Sequence, residues 1–137
     1  MGQMLTVASE LKGSAHSITL DKLLAFEKVV WQRDANTHSD IEVAKQRGMS
    51  RLIASGQNQL AFLHELLEDK FADGWISGGK ISVRWLRPVY VDDVVTPCAR
   101  VQAITEERGR KRVDLDVWCE NQHGEKTSAG TAQAYLA

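Results

Sequence analysis

Cysteine is scarce in this chain. Only Cys98 and Cys119 occur among 137 residues, and their spacing matches neither a zinc site nor a redox pair. A reducing, cytoplasmic setting is therefore expected. Both fall in strand-like stretches, where cysteine usually serves as a small buried apolar group. Proline is equally rare, with only Pro88 and Pro97. No low-complexity segment, linker-like stretch or internal repeat is visible, so one domain spanning residues 1–137 is expected. Charge of one sign is also missing. A formal net charge of −1 gives no electrostatic basis for a nucleic-acid partner. No apolar run approaches the length of a membrane span. The opening Met1-Gly-Gln-Met-Leu-Thr-Val lacks a basic segment followed by a long apolar one, so neither a signal peptide nor a membrane partner is expected. There is no glycine-rich nucleotide fingerprint and no G-x-S-x-G. His16, His64 and His123 are isolated, without metal-ligand spacing. Neither a nucleotide cofactor, nor a serine nucleophile, nor a metal is expected.

What is present is a core and a change of pattern. Apolar residues make up 43% of the chain. The first half reads as helices and loops, the second as strands. Thr19 is placed to cap a first helix with Leu20, Leu23, Leu24 and Val30 on one face. A second helix is expected from Ser39, since Ser39 and Glu42 have capping-box spacing, Asp40 falls in the first turn and Gly48 can close it. Its apolar stripe is narrow, so it should be short and superficial. The strongest helix follows Ser55-Gly56 and covers about Gln57 to Phe71. Leu60, Leu63, Leu67 and Phe71 share one face, the profile of a helix buried against a sheet.

Strands follow. Ile81, Val83 and Trp85 alternate with Lys80, Ser82 and Arg84. Val94 to Thr105 continues the strand pattern. Val113, Leu115, Val117 and Cys119 alternate with Asp114, Asp116, Trp118 and Glu120, and a last strand covers about Lys126 to Leu136. Gly109 and Gly124 mark hairpin turns, and Arg108 to Arg112 reads as a solvated hairpin tip. Trp31, Trp75, Trp85 and Trp118 are assigned to the core or an interface. Antiparallel strands after one long apolar helix indicate an α+β domain, with a curved sheet wrapped round that helix.

The densest polar cluster is Arg33-Asp34-Ala-Asn36-Thr37-His38-Ser39-Asp40, in a loop between two helices. His38 immediately precedes the second helix, whose free N–H groups disfavour imidazolium, and a neutral imidazole is what a general base needs. A nearby carboxylate would push the other way and could orient the ring. Asn36, Ser39 and Asp40 can equally build a turn and a cap. A second feature is Ile53-Ala-Ser55-Gly56 at the start of the long helix. Backbone N–H groups there can hold an oxygen that becomes negative. Ser55 can bond a ligand, and the same segment also reads as an ordinary N-cap.

These motifs and their order resemble the MaoC-like hydratases and dehydratases, the group containing the (R)-specific enoyl-CoA hydratases. Asp34-Ala-Asn36-Thr-His38-Ser-Asp40 is similar to the hydratase loop, Ala44-Lys-Gln-Arg-Gly48 to the helix after it, and Ile53-Ala-Ser55-Gly56 to the opening of the central helix. Val83-Arg-Trp-Leu-Arg-Pro88-Val-Tyr-Val-Asp-Asp93 is similar to the family's "RF-x-x-P-V-x-x-G-D" strand, and Asn121-Gln-His-Gly124-Glu125 to its final hairpin. The resemblance implies a hot-dog fold and a homodimer with sites near the interface, where a pantetheine arm commonly runs. It implies no cofactor beyond the CoA or phosphopantetheine arm of an acyl thioester substrate. It assigns Asp34 and His38 to water activation and proton management, and the Gly56 N–H to the thioester oxygen, with Ser55 and Asn36 beside them. Three positions differ from the family pattern. The loop lacks the usual proline and puts Asp34 four rather than five positions before His38, so Asp40 is an alternative carboxylate. Ser55 stands where a histidine is frequent, and Asp92 where a glycine is. Two other hot-dog activities remain open: an acyl thioesterase, and a non-catalytic or partner-dependent acyl-thioester-binding subunit.

Overall fold

The computed structural model describes residues 5–31 and 35–136. In chain order these form β1 (Glu10–Lys12), β2 (His16–Ser17), α1 (Leu20–Phe26), a π-helical turn (Glu27–Trp31), α2 (Ile41–Gln46), α3 (Gly56–Phe71), α4 (Asp73–Ile76), β3 (Lys80–Trp85), β4 (Val94–Glu107), β5 (Arg110–Glu120) and β6 (Lys126–Leu136). The strands pair antiparallel in the order β1-β4-β5-β6-β3, and β2 pairs with β4 beyond β1.

Helix α3 packs against β4, β5 and β6. Its Leu63 and Leu67 are wholly buried and meet the inward row of β5, where Val113, Leu115, Val117 and Cys119 alternate with polar residues as the sequence pattern requires. Burying each such leucine stabilises the fold by about 2 kcal/mol. The sheet bends round the helix, and a register shift between Val101 and Ala103 of β4 adds local twist. Gly109 and Gly124 turn the two hairpins at φ of 79° and 76°, the left-handed region that glycine enters without a Cβ penalty. Both cysteines are free and buried. Burial, followed by the neighbouring Glu120 carboxylate, pushes the Cys98 thiol up to about 12, and burial pushes Cys119 up to about 11. Neither is a thiolate at neutral pH.

The first helix departs from expectation. Thr19 caps it, accepting from the Lys22 N–H at 3.2 Å. Yet only Leu23 is buried in α1, while Leu20 and Leu24 are 47% and 39% exposed. The face turned inward carries Leu23 and Glu27, one helical turn apart, and the two other leucines face outward before the π-helical turn begins. On β3, Trp85 is half exposed rather than a core residue, because β3 is the edge of the sheet. Trp75 does join the core.

At the end of the Pro88 segment, Asp92 has φ of 76°. A non-glycine residue pays roughly 1–2 kcal/mol for that conformation. Asp92→Gly is therefore expected to raise stability by about 0.5–1 kcal/mol, seen as a higher urea midpoint with an unchanged slope.

Candidate active site

His38 is held by its ring. Its Nδ1 lies 2.7 Å from the Ile53 carbonyl oxygen. A carbonyl only accepts, so Nδ1 carries the proton and donates. In the neutral ring the lone pair is then on Nε2, the atom left to take a proton from water. The backbone is fixed as well: the Asn36 side-chain carbonyl accepts the His38 N–H at 2.8 Å, and the Ser39 hydroxyl accepts the Asn36 N–H at 3.1 Å.

That bond to Ile53 places His38 beside the start of α3. Ile53 bridges Tyr90, the Ala54 N–H donates to the Val89 carbonyl at 2.7 Å, and the Ile53 N–H donates to the Thr37 carbonyl at 3.3 Å. The extended segment Leu52–Ala54 is thus clamped between the histidine loop and the Val89–Val91 segment, and it leads straight into Ser55 and Gly56. Ser55 is extended at the N-cap of α3, but its hydroxyl does not cap the helix. Ser55 is thus the N-cap by position, with its hydroxyl left out of the cap. The Ser55 carbonyl accepts from the Asn58 N–H at 3.0 Å, whereas the Gly56 N–H, like other first-turn amides, has no intrahelical partner. A Cβ on Gly56 would sit 2.4 Å from the Trp85 indole, so the indole packs directly on this glycine.

The second helix needs a correction. Its N-cap is Asp40, not Ser39. The Asp40 carboxylate accepts the Glu42 and Val43 N–H groups at 2.9 and 3.4 Å, while the Ser39 hydroxyl turns back to Asn36. An aspartate satisfies the helix start with charge as well as geometry, which a serine cannot do. Both bonds go to Oδ1, so the cap engages one oxygen of the Asp40 carboxylate. His38 stands two residues before that cap, with its ring turned to Ile53. Gly48 does close α2, at φ of 83°. Asp34 lies outside the described residues.

Sequence reasoning missed Glu27. It is 4% exposed, and its carboxylate accepts from the Asn36 amide at 3.3 Å. Asn36 thus joins a buried carboxylate to the His38 backbone. The signal was present: Glu27 stands four residues after Leu23 and three after Leu24, a charge on the expected apolar face. Gln59 on α3, also buried, has the same signature. Among the described residues no group of three or more His, Cys, Asp and Glu side chains is gathered as a metal would need, and no helix is long and apolar enough to cross a membrane.

The family model for the MaoC like domain matches residues 33–127. Among solved structures, a MaoC-like dehydratase from Rhodospirillum rubrum superposes with a TM-score of 0.80 at 24% identity, over 96% of this chain and 92% of that one. The (R)-hydratase from A. caviae involved in PHA biosynthesis superposes with a TM-score of 0.81 at 21% identity, over 99% and 100%. One chain of the ChsH1–ChsH2 complex from Mycobacterium tuberculosis gives 0.79 at 15% identity, over 98% and 100%. At these identities the likeness is one of fold, the hot-dog fold. No curated protein sequence matches the chain.

Proposed function

Because the chain belongs to the MaoC-like family of hydratases and dehydratases, we propose that it is a hydro-lyase acting on an enoyl or β-hydroxyacyl thioester carried on CoA or a phosphopantetheine arm. In the hydration direction, Asp34 and His38 hold a water between them. His38 Nε2 takes its proton as the oxygen bonds to the β-carbon. Electrons move toward the thioester carbonyl, whose oxygen is held by the Gly56 N–H as the enolate develops. The α-carbon then takes a proton delivered by the Asp34–His38 pair. Asn36 supports His38 and Ser55 borders the bound thioester. No cofactor enters the reaction, and Asp40 has no part in it.

The observation that carries this reading is the 2.7 Å contact of His38 Nδ1 with the Ile53 carbonyl. It sets the tautomer that a base requires, and it does so three residues before the glycine proposed to hold the thioester oxygen. Among the described residues β3 ends the sheet, and this edge, with Trp85 and Leu86 each 48% exposed, supports a homodimer formed through it, with the site at Gly56 close to the interface.

The test is crotonyl-CoA with the purified chain. Loss of the enoyl absorbance without release of free thiol is the expected result, and sedimentation should give twice the chain mass. Thiol release in step with substrate loss would instead make the protein a thioesterase. Turnover that appears only on adding a second chain would make it one subunit of a heteromeric enzyme.

A further inference from the structure

The first turn of α3 carries more buried hydrogen-bonding capacity than its own chain uses. Ser55 is 5% exposed and its hydroxyl has no partner among the described residues. Gln59 lies one turn further on and is 3% exposed. The Thr127 hydroxyl donates to Gln59 Oε1 at 2.7 Å and also lies 3.3 Å from the Cys119 carbonyl. Among the described residues nothing accepts from Gln59 Nε2. With the amide turned over, Nε2 would donate to Thr127 and Thr127 to Cys119, and Oε1 would be the end left over. In either orientation one end of the Gln59 amide has no partner among the described residues. Leaving a buried hydroxyl unpaired costs about 1–3 kcal/mol, and the Ser55 hydroxyl is such a group, one residue before Gly56.

Their position points at the substrate. Thr127 precedes Ser128, the cross-strand neighbour of Trp85, and the Trp85 indole packs on Gly56. On α3, Gly56 and Gln59 stand at i and i+3 and so share one face of the helix. Three residues of helix separate Gly56 from Gln59, about 4.5 Å along the axis. For a thioester whose oxygen is at the Gly56 N–H, that reaches the carbon just past the reacting pair. Ser55, Gln59 and Thr127 are all neutral, so a carboxylate here would be a buried charge without a counter-ion. A hydroxyl both donates and accepts, and so satisfies Gln59 in either orientation.

Building on the hydro-lyase reading, we infer that Ser55 and Gln59 form a subsite for a hydroxyl carried by the acyl group next to its reacting carbons. The substrate class is then a short hydroxylated enoyl thioester rather than a plain alkyl one.

The experiment compares crotonyl-CoA with 4-hydroxycrotonyl-CoA in the wild type and in Gln59→Leu. The wild type should favour the hydroxylated thioester in kcat/KM, and Gln59→Leu should lower the ratio of the two substrates by about 10–100-fold, as expected where a site loses a buried polar partner. Thr127 keeps the Cys119 carbonyl as an acceptor in that variant, and Gln59→Met serves if leucine does not fold. A ratio that does not move overturns the subsite. If the wild type turns over neither compound, the same ratio is read by calorimetry with butanoyl-CoA and 4-hydroxybutanoyl-CoA. A preference abolished by Gln59→Leu then upholds the subsite while the hydro-lyase reading falls. Equal binding of the two in wild type and variant overturns the subsite.

Discussion

Replacing His38 with alanine is expected to lower kcat for crotonyl-CoA hydration by about 10²–10⁴-fold, the span that a positioned acid-base group contributes. The loss should fall on kcat more than on KM, because the imidazole acts on the water and the proposed thioester contact is the Gly56 N–H. The fold should survive. His38 is only partly buried, and among the described residues its ring bonds the Ile53 carbonyl, worth about 1 kcal/mol net. The bond that the His38 N–H donates to the Asn36 side-chain oxygen does not depend on the ring. A circular-dichroism melt within a few degrees of the parent, together with activity lost by at least two orders of magnitude, is the expected pair of results. Activity within threefold of the parent would remove His38 from the chemistry.

How much of this was legible in the sequence varied with the length of the signal. Helix α3 and strand β5 were readable because each repeats its period over ten or more residues, β6 by its place after the Gly124 turn, and Gly109 and Gly124 because a positive φ leaves few alternatives to glycine. Strands β1 and β2 span three and two residues, too few to show any alternation. They exist because β4 offers them an edge. The four-residue α4 was missed for the same reason. At the site, His38 and Gly56 stood out by residue type, but their proximity did not. It depends on the clamp of Ile53 between Thr37 and Tyr90, a long-range pairing with no local trace. Ser39 and Asp40 were confused because both are good caps and adjacent, and the choice was made by the orientation of the Ser39 hydroxyl toward Asn36. Glu27 and Gln59 were the most informative misses. Both are polar residues on apolar faces, and both proved to be buried against the site rather than exposed.

Asp34→Asn is expected to lose as much activity as His38→Ala, about 10²–10⁴-fold, because an amide can neither take a proton from water nor return one. Glu27 sets the comparison that gives this result its meaning. Its carboxylate is buried and bonded to Asn36, so it belongs to the scaffold of the loop, one step removed from His38. If that is its role, Glu27→Gln should cost less than about tenfold, since glutamine keeps a carbonyl oxygen to accept from Asn36. Glu27→Ala, which leaves the Asn36 amide without this acceptor, should cost about 10–100-fold, the scale of a supporting interaction around a site, and should lower kcat with little change in KM. The partial rescue by glutamine separates positioning from chemistry, because a carboxylate that moved protons could not be replaced by an amide. The reverse ranking, with Glu27→Gln as damaging as His38→Ala and Asp34→Asn nearly silent, would shift the proton-transfer role from Asp34 to Glu27. The four-residue spacing of Asp34 and His38 and the extra residue taken up by the π-helical turn would then have a common explanation: a loop shortened on one side of the aspartate and lengthened on the other, with the working carboxylate supplied from the helix.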